Sequence, residues 1–216
     1  MFSYFTNAAR QETVEEGKKW DADELIKHRR SIFPRDYDEN RKVPREILEK
    51  MLESANWAPN HKHTEPWRFV VFGSPESIQR LAQFEADLYK ATTPEHKFMQ
   101  RKYEKKARSK PGVSYVIAIC MKRQASERLP EIEEVCAVAC AVQNLHLSAA
   151  GHGVGGYWCS GGRISSDEMK GYLGLGEKDM CLGLFYVGYP KPGYVARSHR
   201  KPIADKVQWI ISYYQK

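Results

Sequence analysis

Apolar residues recur at helical spacing between Pro44 and Asn56, where Ile47, Leu48, Met51, Leu52 and Ala55 share one face. Pro44 sits where a first helical turn tolerates it, so the pattern predicts a helix laid on the core. Arg68-Phe69-Val70-Val71-Phe72 is a short β-branched and aromatic run and predicts a buried strand. Pro75 to about Lys90 returns to helical spacing, with Ile78, Leu81, Ala82, Phe84 and Leu88 inward. Pro94 to Arg108 predicts a second, very basic helix, and the apolar run Val113 to Met121 a central strand. Glu131 to about Ala150 contains Val135, Cys136, Ala137, Val138, Ala139, Cys140, Ala141 and Val142, apolar on nearly every side, and is expected to be buried all round.

The second half is shorter in its periods. Gly155 to Ser160 predicts a strand, and Met180 to Gly188 another. Between them Ser166 to Leu173 predicts a helix capped by Ser165 or Ser166, with Asp167 and Glu168 in its first turn. Pro190 to Lys216 holds Pro190, Pro192 and Pro202 before Val207-Gln208-Trp209-Ile210-Ile211, and is expected to be extended yet too apolar for a free tail. No internal repeat, low-complexity tract or linker interrupts the chain. The elements add up to an α+β fold, a mixed sheet of about four strands flanked by helices.

With 216 residues, 42% hydrophobic and 28% charged, the chain has the size and composition of one soluble globular domain. It has no run of 18 apolar residues, and Met1 to Trp20 lacks the apolar core of a secretory signal, so a cytoplasmic protein with no membrane role is expected. Five cysteines in apolar surroundings, without a CxxC pair, predict reduced and buried thiols. Cys136 and Cys140 have a spacing that a metal could use, but no second ligand pair accompanies them.

The net charge of +7 is concentrated in Arg101, Lys102, Lys105, Lys106, Arg108 and Lys110. Base-stacking aromatics are not interleaved with these cations, which argues against nucleic acid; a solvated helix face, or attraction of a phosphorylated nicotinamide cofactor, fits better. Gly151-His152-Gly153-Val154-Gly155-Gly156 spells GxGxxG. A dinucleotide fingerprint follows a strand and opens a helix, whereas this one follows a helix and opens a strand. Its glycines are read as a helix stop and a tight turn into the strand.

Two segments carry candidate chemistry. Pro59-Asn60-His61-Lys62-His63-Thr64-Glu65-Pro66-Trp67 is a polar loop pinned by prolines between two rigid elements, a usual location for binding residues. His61 and His63 alternate as metal ligands would on an extended loop, but no third ligand lies at a workable spacing. Asp23 to Ser31 predicts a short helix ending in Arg29-Arg30-Ser31. Two guanidinium forks and a hydroxyl suit a phosphate dianion, although the same arginines could merely complement the negative end of their own helix.

Together these segments resemble the flavin-dependent nitroreductase family, whose members open on a helix ending in Arg-Arg-Ser and follow it with a helix closing on Ala-Pro-x-His-x-x-x-x-Pro-Trp. The likeness runs through Ala58-Pro59 to Pro66-Trp67, then Tyr157-Trp158-Cys159-Ser160-Gly161, to Arg200, and covers residues from about 23 to 210. It implies an N-terminal extension over 1–22 and an FMN-binding domain over 23–216. It further implies an intertwined homodimer that exchanges the C-terminal segment and holds FMN at two interfacial sites.

On this resemblance Arg29, Arg30, Ser31 and Arg200 grip the flavin phosphate, and Pro59, Asn60, His61 and Lys62 pack on the ring. Tyr157, Trp158, Cys159, Ser160 and Gly161 line its edge. The implied activity moves a hydride from NADH or NADPH through flavin N5 to a nitroaromatic, quinone or similar small-molecule electron acceptor by a ping-pong mechanism. Neither a metal nor a catalytic side chain is required, and Cys159 has no evident His–Asp partner, which favours packing over nucleophilic work. Alternatives are a specialised reaction of the same family, such as reductive dehalogenation, and a basic binding protein without cofactor.

Overall fold

The computed structural model describes residues 19–210. Most of the expected N-terminal extension, and Ile211 of the C-terminal apolar run, lie outside them.

Six α-helices and four strands alternate along these residues: α1 Ala22–His28, α2 Arg45–Asn56, β1 Trp67–Phe72, α3 Pro75–Thr92, α4 Gln100–Ala107, β2 Tyr115–Met121, α5 Glu131–Gly151, β3 Gly155–Cys159, α6 Asp167–Leu173 and β4 Met180–Gly188. Their ends follow local chemistry. Asp21 caps α1 by accepting from the Asp23 amide at 2.9 Å, and Ser74 and Ser77 form a reciprocal capping box on α3. Ser166 caps α6, which stops at the left-handed Gly174.

The strands form one sheet in the order β1-β2-β4-β3. All three pairings are antiparallel, with Trp67 opposite Met121, Ile117 opposite Phe185 and Gly155 opposite Gly188. The expected mixed character is therefore confined to one isolated parallel bridge, Ser31 with Gly156.

β2 is apolar without alternation because both of its faces are covered. Ile117, Ile119 and Met121 join Met51 of α2 and Leu145 of α5 in one cluster. Val116, Ala118 and Cys120 join Leu81 of α3 and Met169 of α6 in another. The period of two thus sorts one hydrophobic run into two cores.

Two expectations change. Pro94 to Arg108 is not one helix: a 3-10 turn, Glu95–Lys97, precedes α4, and the chain between them is extended at Phe98 and Met99. The Met99 amide donates to the Tyr89 hydroxyl at 3.0 Å, a side-chain bond in place of a helical one. Nor is α5 buried all round. Ala137, Val138, Ala141, Val142, Leu145 and Ala149 face the sheet and α2, but Ile132 is 63% exposed, and Cys136, Ala139 and Cys140 lie on the same outer side. Cys136 and Cys140 are consequently exposed thiols rather than buried ones.

The GxGxxG glycines have a packing reason. A Cβ on Gly156 would sit 2.4 Å from the Phe185 ring and 2.9 Å from His146, so only glycine lets β3 lie so close to both.

Candidate functional site

α1 ends at His28, where Arg29 donates its amide to Leu25 O at 2.9 Å. The chain then extends: Ser31 bridges Gly156, and the Ile32 amide donates to Gly156 O at 3.0 Å. Arg29 and Arg30 are thereby fixed against the first residues of β3. A third anchor comes from α5, where His146, only 6% exposed, donates from Nε2 to Arg30 O across 3.0 Å and meets Phe185 edge-on at 5.1 Å. A carbonyl only accepts, so the ring presents its Nε2 proton. Burial and the nearby Arg29 charge push the imidazole pKa down to about 4.

Arg200 approaches this pair from the other end of the chain. Burial, then Arg30 and Arg200, lower the Arg29 pKa below its ordinary value, and burial followed by Arg200 does the same to Arg30. Three guanidinium groups repel one another here, and among the described residues none forms an ion pair with a carboxylate. Arg200 donates to Ser198 Oγ at 2.8 Å and His199 O at 2.9 Å; Arg30 Nη1 donates to Arg29 O at 2.8 Å, while its Nε is buried without a hydrogen-bond partner. A buried, unmatched donor among clustered cations is the electrostatic complement of a multiply charged anion.

The loop after α2 is folded tightly rather than extended. His61–His63 makes a 3-10 turn, and Lys62, His63 and Glu65 all adopt positive φ, at 51°, 53° and 43°. Such conformations cost about 1–3 kcal/mol each for residues with a Cβ. Asn60 offsets part of this by accepting the Glu65 amide at 3.1 Å, and His61 Nδ1 lies 2.6 Å from Glu133 Oε2 in the first turn of α5. Thr64 Oγ1 is buried without a partner. Glu133 precedes His146 by thirteen residues on α5, ~20 Å along the helix axis. No hydrogen bond among the described residues joins this loop to the arginines or to Tyr157–Gly161.

β3 carries Tyr157, Trp158 and Cys159 away from the arginines, and Ser160 and Gly161 follow as exposed irregular chain. Tyr157 packs on Phe33 with centroids 4.6 Å apart. The Trp158 indole lies over Gly183, where a Cβ would come within 2.3 Å of Nε1, and that nitrogen is buried without an acceptor. Cys159 is a free thiol with no imidazole hydrogen-bonded to it among the described residues. No group of three His, Cys, Asp or Glu among those residues is placed to hold a metal, and no helix among them is long and apolar enough to cross a membrane.

The structure thus unites Arg29, Arg30, Ser31 and Arg200, joins them to Tyr157–Gly161 through β3, and leaves Pro59–Lys62 apart. Sequence reasoning missed His146. The available signal was a lone imidazole inside the most apolar helix, where a polar group must find a partner.

A model of the nitroreductase family matches residues 26–189. A Bacillus subtilis protein provisionally named NAD(P)H nitroreductase YfhC is 28% identical over 183 residues, covering 85% of this chain and 91% of that protein. Among solved structures, a nitroreductase-like family protein from Bacillus cereus has a TM-score of 0.73 at 24% identity, covering 92% of this chain and all of the other. A nitroreductase with bound FMN from Bacteroides fragilis has a TM-score of 0.65 at 19% identity, over 89% of this chain and 100% of its own. Matched over most of its length by the family model, and sharing the fold of these structures, the chain belongs to the nitroreductase family.

Proposed function

We propose that this chain is an FMN-dependent NAD(P)H oxidoreductase working as a homodimer, with its domain over residues 23–216 and residues 1–22 as an extension. The observation that carries the reading is the cluster of Arg29, Arg30 and Arg200, unpaired among the described residues and including a buried Nε with no acceptor. When bound, FMN supplies the redox chemistry, taking a hydride from NADH or NADPH and yielding two electrons to a nitroaromatic, quinone or similar acceptor.

The residues fit that group. The three arginines and the Ser31 hydroxyl would hold its phosphate monoester, and His146 fixes the Arg30 backbone from which one fork projects. Tyr157–Gly161, joined to the arginines through β3, would flank the ring. Pro59, Asn60, His61 and Lys62, which lie apart from the arginines of their own chain, would cover a ring face and exclude water at the partner subunit's site. No side chain is assigned a covalent role. The oxidised donor would leave before the acceptor binds, which gives ping-pong kinetics.

The dimer has three supports. Trp209 and Ile210 are 80% and 64% exposed on a segment without strand or α-helix, and the outer side of α5 presents Ile132, Cys136, Ala139 and Cys140 to solvent. Such surfaces call for a cover. The separation of the His61 loop from the arginines further favours a site completed by the partner's loop.

The test is direct. Purified protein should absorb as a flavoprotein, release FMN on denaturation at about one per chain, and bleach when NADH or NADPH is added without oxygen. A colourless protein that takes up no added FMN overturns the reading.

A further inference from the structure

A cavity of about 370 Å³ opens between α3, the 3-10 turn before α4, α4 itself and the loop after β3. That volume is within the range of small-molecule sites, ~300–1,000 Å³. Its floor is apolar, made by the buried Leu88, Ile164 and Met169. Its rim is not: Lys97, Lys102, Lys106 and Arg163 line it against a single acid, Glu85. None of the four cations forms an ion pair among the described residues. Lys102 Nζ instead rests 4.7 Å from the centre of the Tyr89 ring, and Arg163 Nη2 donates to Thr92 O at 3.3 Å, tying the loop after β3 to the end of α3.

Four cations lining one concavity with an apolar floor leave a local excess of positive charge, since Glu85, with Glu168 near Arg163, offsets two of them at most. These groups, drawn from α4, the turn before it and the loop after β3, border one space and concentrate their field there. The cavity also begins at Gly162, directly after the Tyr157–Gly161 segment.

We infer that this cavity is a subsite for an organic anion: an apolar body rests on Leu88, Ile164 and Met169, and a carboxylate or phosphate meets the lysines and Arg163. The inference rests on the flavoenzyme reading for its place in the reaction. The anion has two sources, the carboxylate of an electron acceptor or the 2′-phosphate of NADPH.

The experiment measures binding to the flavin-loaded protein by calorimetry, with 4-nitrobenzoate against 4-nitrobenzamide, and NADP+ against NAD+. In the parent the anionic member of at least one pair should bind about 10-fold tighter or more, an advantage that shrinks as salt rises from about 0.02 to 0.5 M. K102Q/K106Q, and separately R163Q, should cut that preference by about 10-fold. A response in the nitrobenzoate pair assigns the anion to the acceptor, and one in the nucleotide pair to the donor. Equal binding within both pairs in the parent, or variants that leave both preferences intact, overturns the inference. The salt series needs no variant, so misfolding cannot mask the result. Flavin content and bleaching by NADH, read on the same samples, report separately on the flavoenzyme reading.

Discussion

Nε2 of His146 lies 3.0 Å from the carbonyl oxygen of Arg30, so a buried side chain of the central helix sets the backbone from which two candidate phosphate ligands project. The bond is made by the neutral ring, whose pKa is pushed down to about 4, chiefly by burial, against an ordinary value near 6.5. Between those limits the unfolded chain binds a proton that the folded one does not. Stability is therefore complete above about pH 6.5 and falls as the pH drops toward 4, by roughly 2 kcal/mol at pH 5. Urea unfolding of the parent and of His146→Gln at pH 7 and 5 checks this. The parent should lose stability over that interval and the variant much less; identical pH profiles would contradict it.

Replacing Arg29, Arg30 or Arg200 by Ala should weaken FMN binding by about 1–3 kcal/mol each, the worth of a charge-assisted bond. Because the loss falls on the phosphate, riboflavin should close most of its gap to FMN in these variants. Equilibrium dialysis of both flavins gives the answer, and three variants that retain FMN like the parent would return the arginines to a structural role.

Truncation after Lys201 removes Trp209 and Ile210, both exposed on the single chain. If they dock on a second protomer, the shortened protein should be aggregated or flavin-free in sedimentation and absorbance measurements. A flavin-loaded, well-behaved monomer would show that the segment is dispensable.

If the proposed ping-pong scheme holds, double-reciprocal plots at several acceptor concentrations should be parallel. Cys159→Ser should keep substantial turnover, since among the described residues no imidazole is hydrogen-bonded to the thiol to activate it. Intersecting lines, or complete loss of turnover with FMN still bound, would refute this assignment.

Strand positions were legible wherever a run was uniformly apolar: Met180–Gly188 appears with its expected bounds, and Tyr115–Met121 lies inside Val113–Met121. Hydrophobicity states that a residue shuns water, not whether its own chain or another covers it, and α5 was misjudged on that point, with Ile132 and Cys136 facing outward. The break at Phe98 and Met99 was hidden because helical spacing does not report a distant hydroxyl such as that of Tyr89 taking the Met99 amide. The arginine pair was readable locally, but Arg200 entered only through the family resemblance, since no local pattern encodes a meeting across 170 positions. The cationic cavity draws on residues from Glu85 to Met169, each unremarkable in its own segment.

The bridge of Ser31 with Gly156 fastens the arginines to one end of β3, while Cys159 closes the other end. Three residue steps separate those points, ~10 Å of backbone. The strand therefore acts as a ruler, and its graduations are peptide units rather than side chains. Exchanging residues along it alters what is touched at a given mark without moving the mark. Inserting one residue between Gly156 and Cys159 would lengthen the reach by ~3.3 Å and turn every later side chain to the opposite face, so this stretch tolerates changes of letter far better than changes of length.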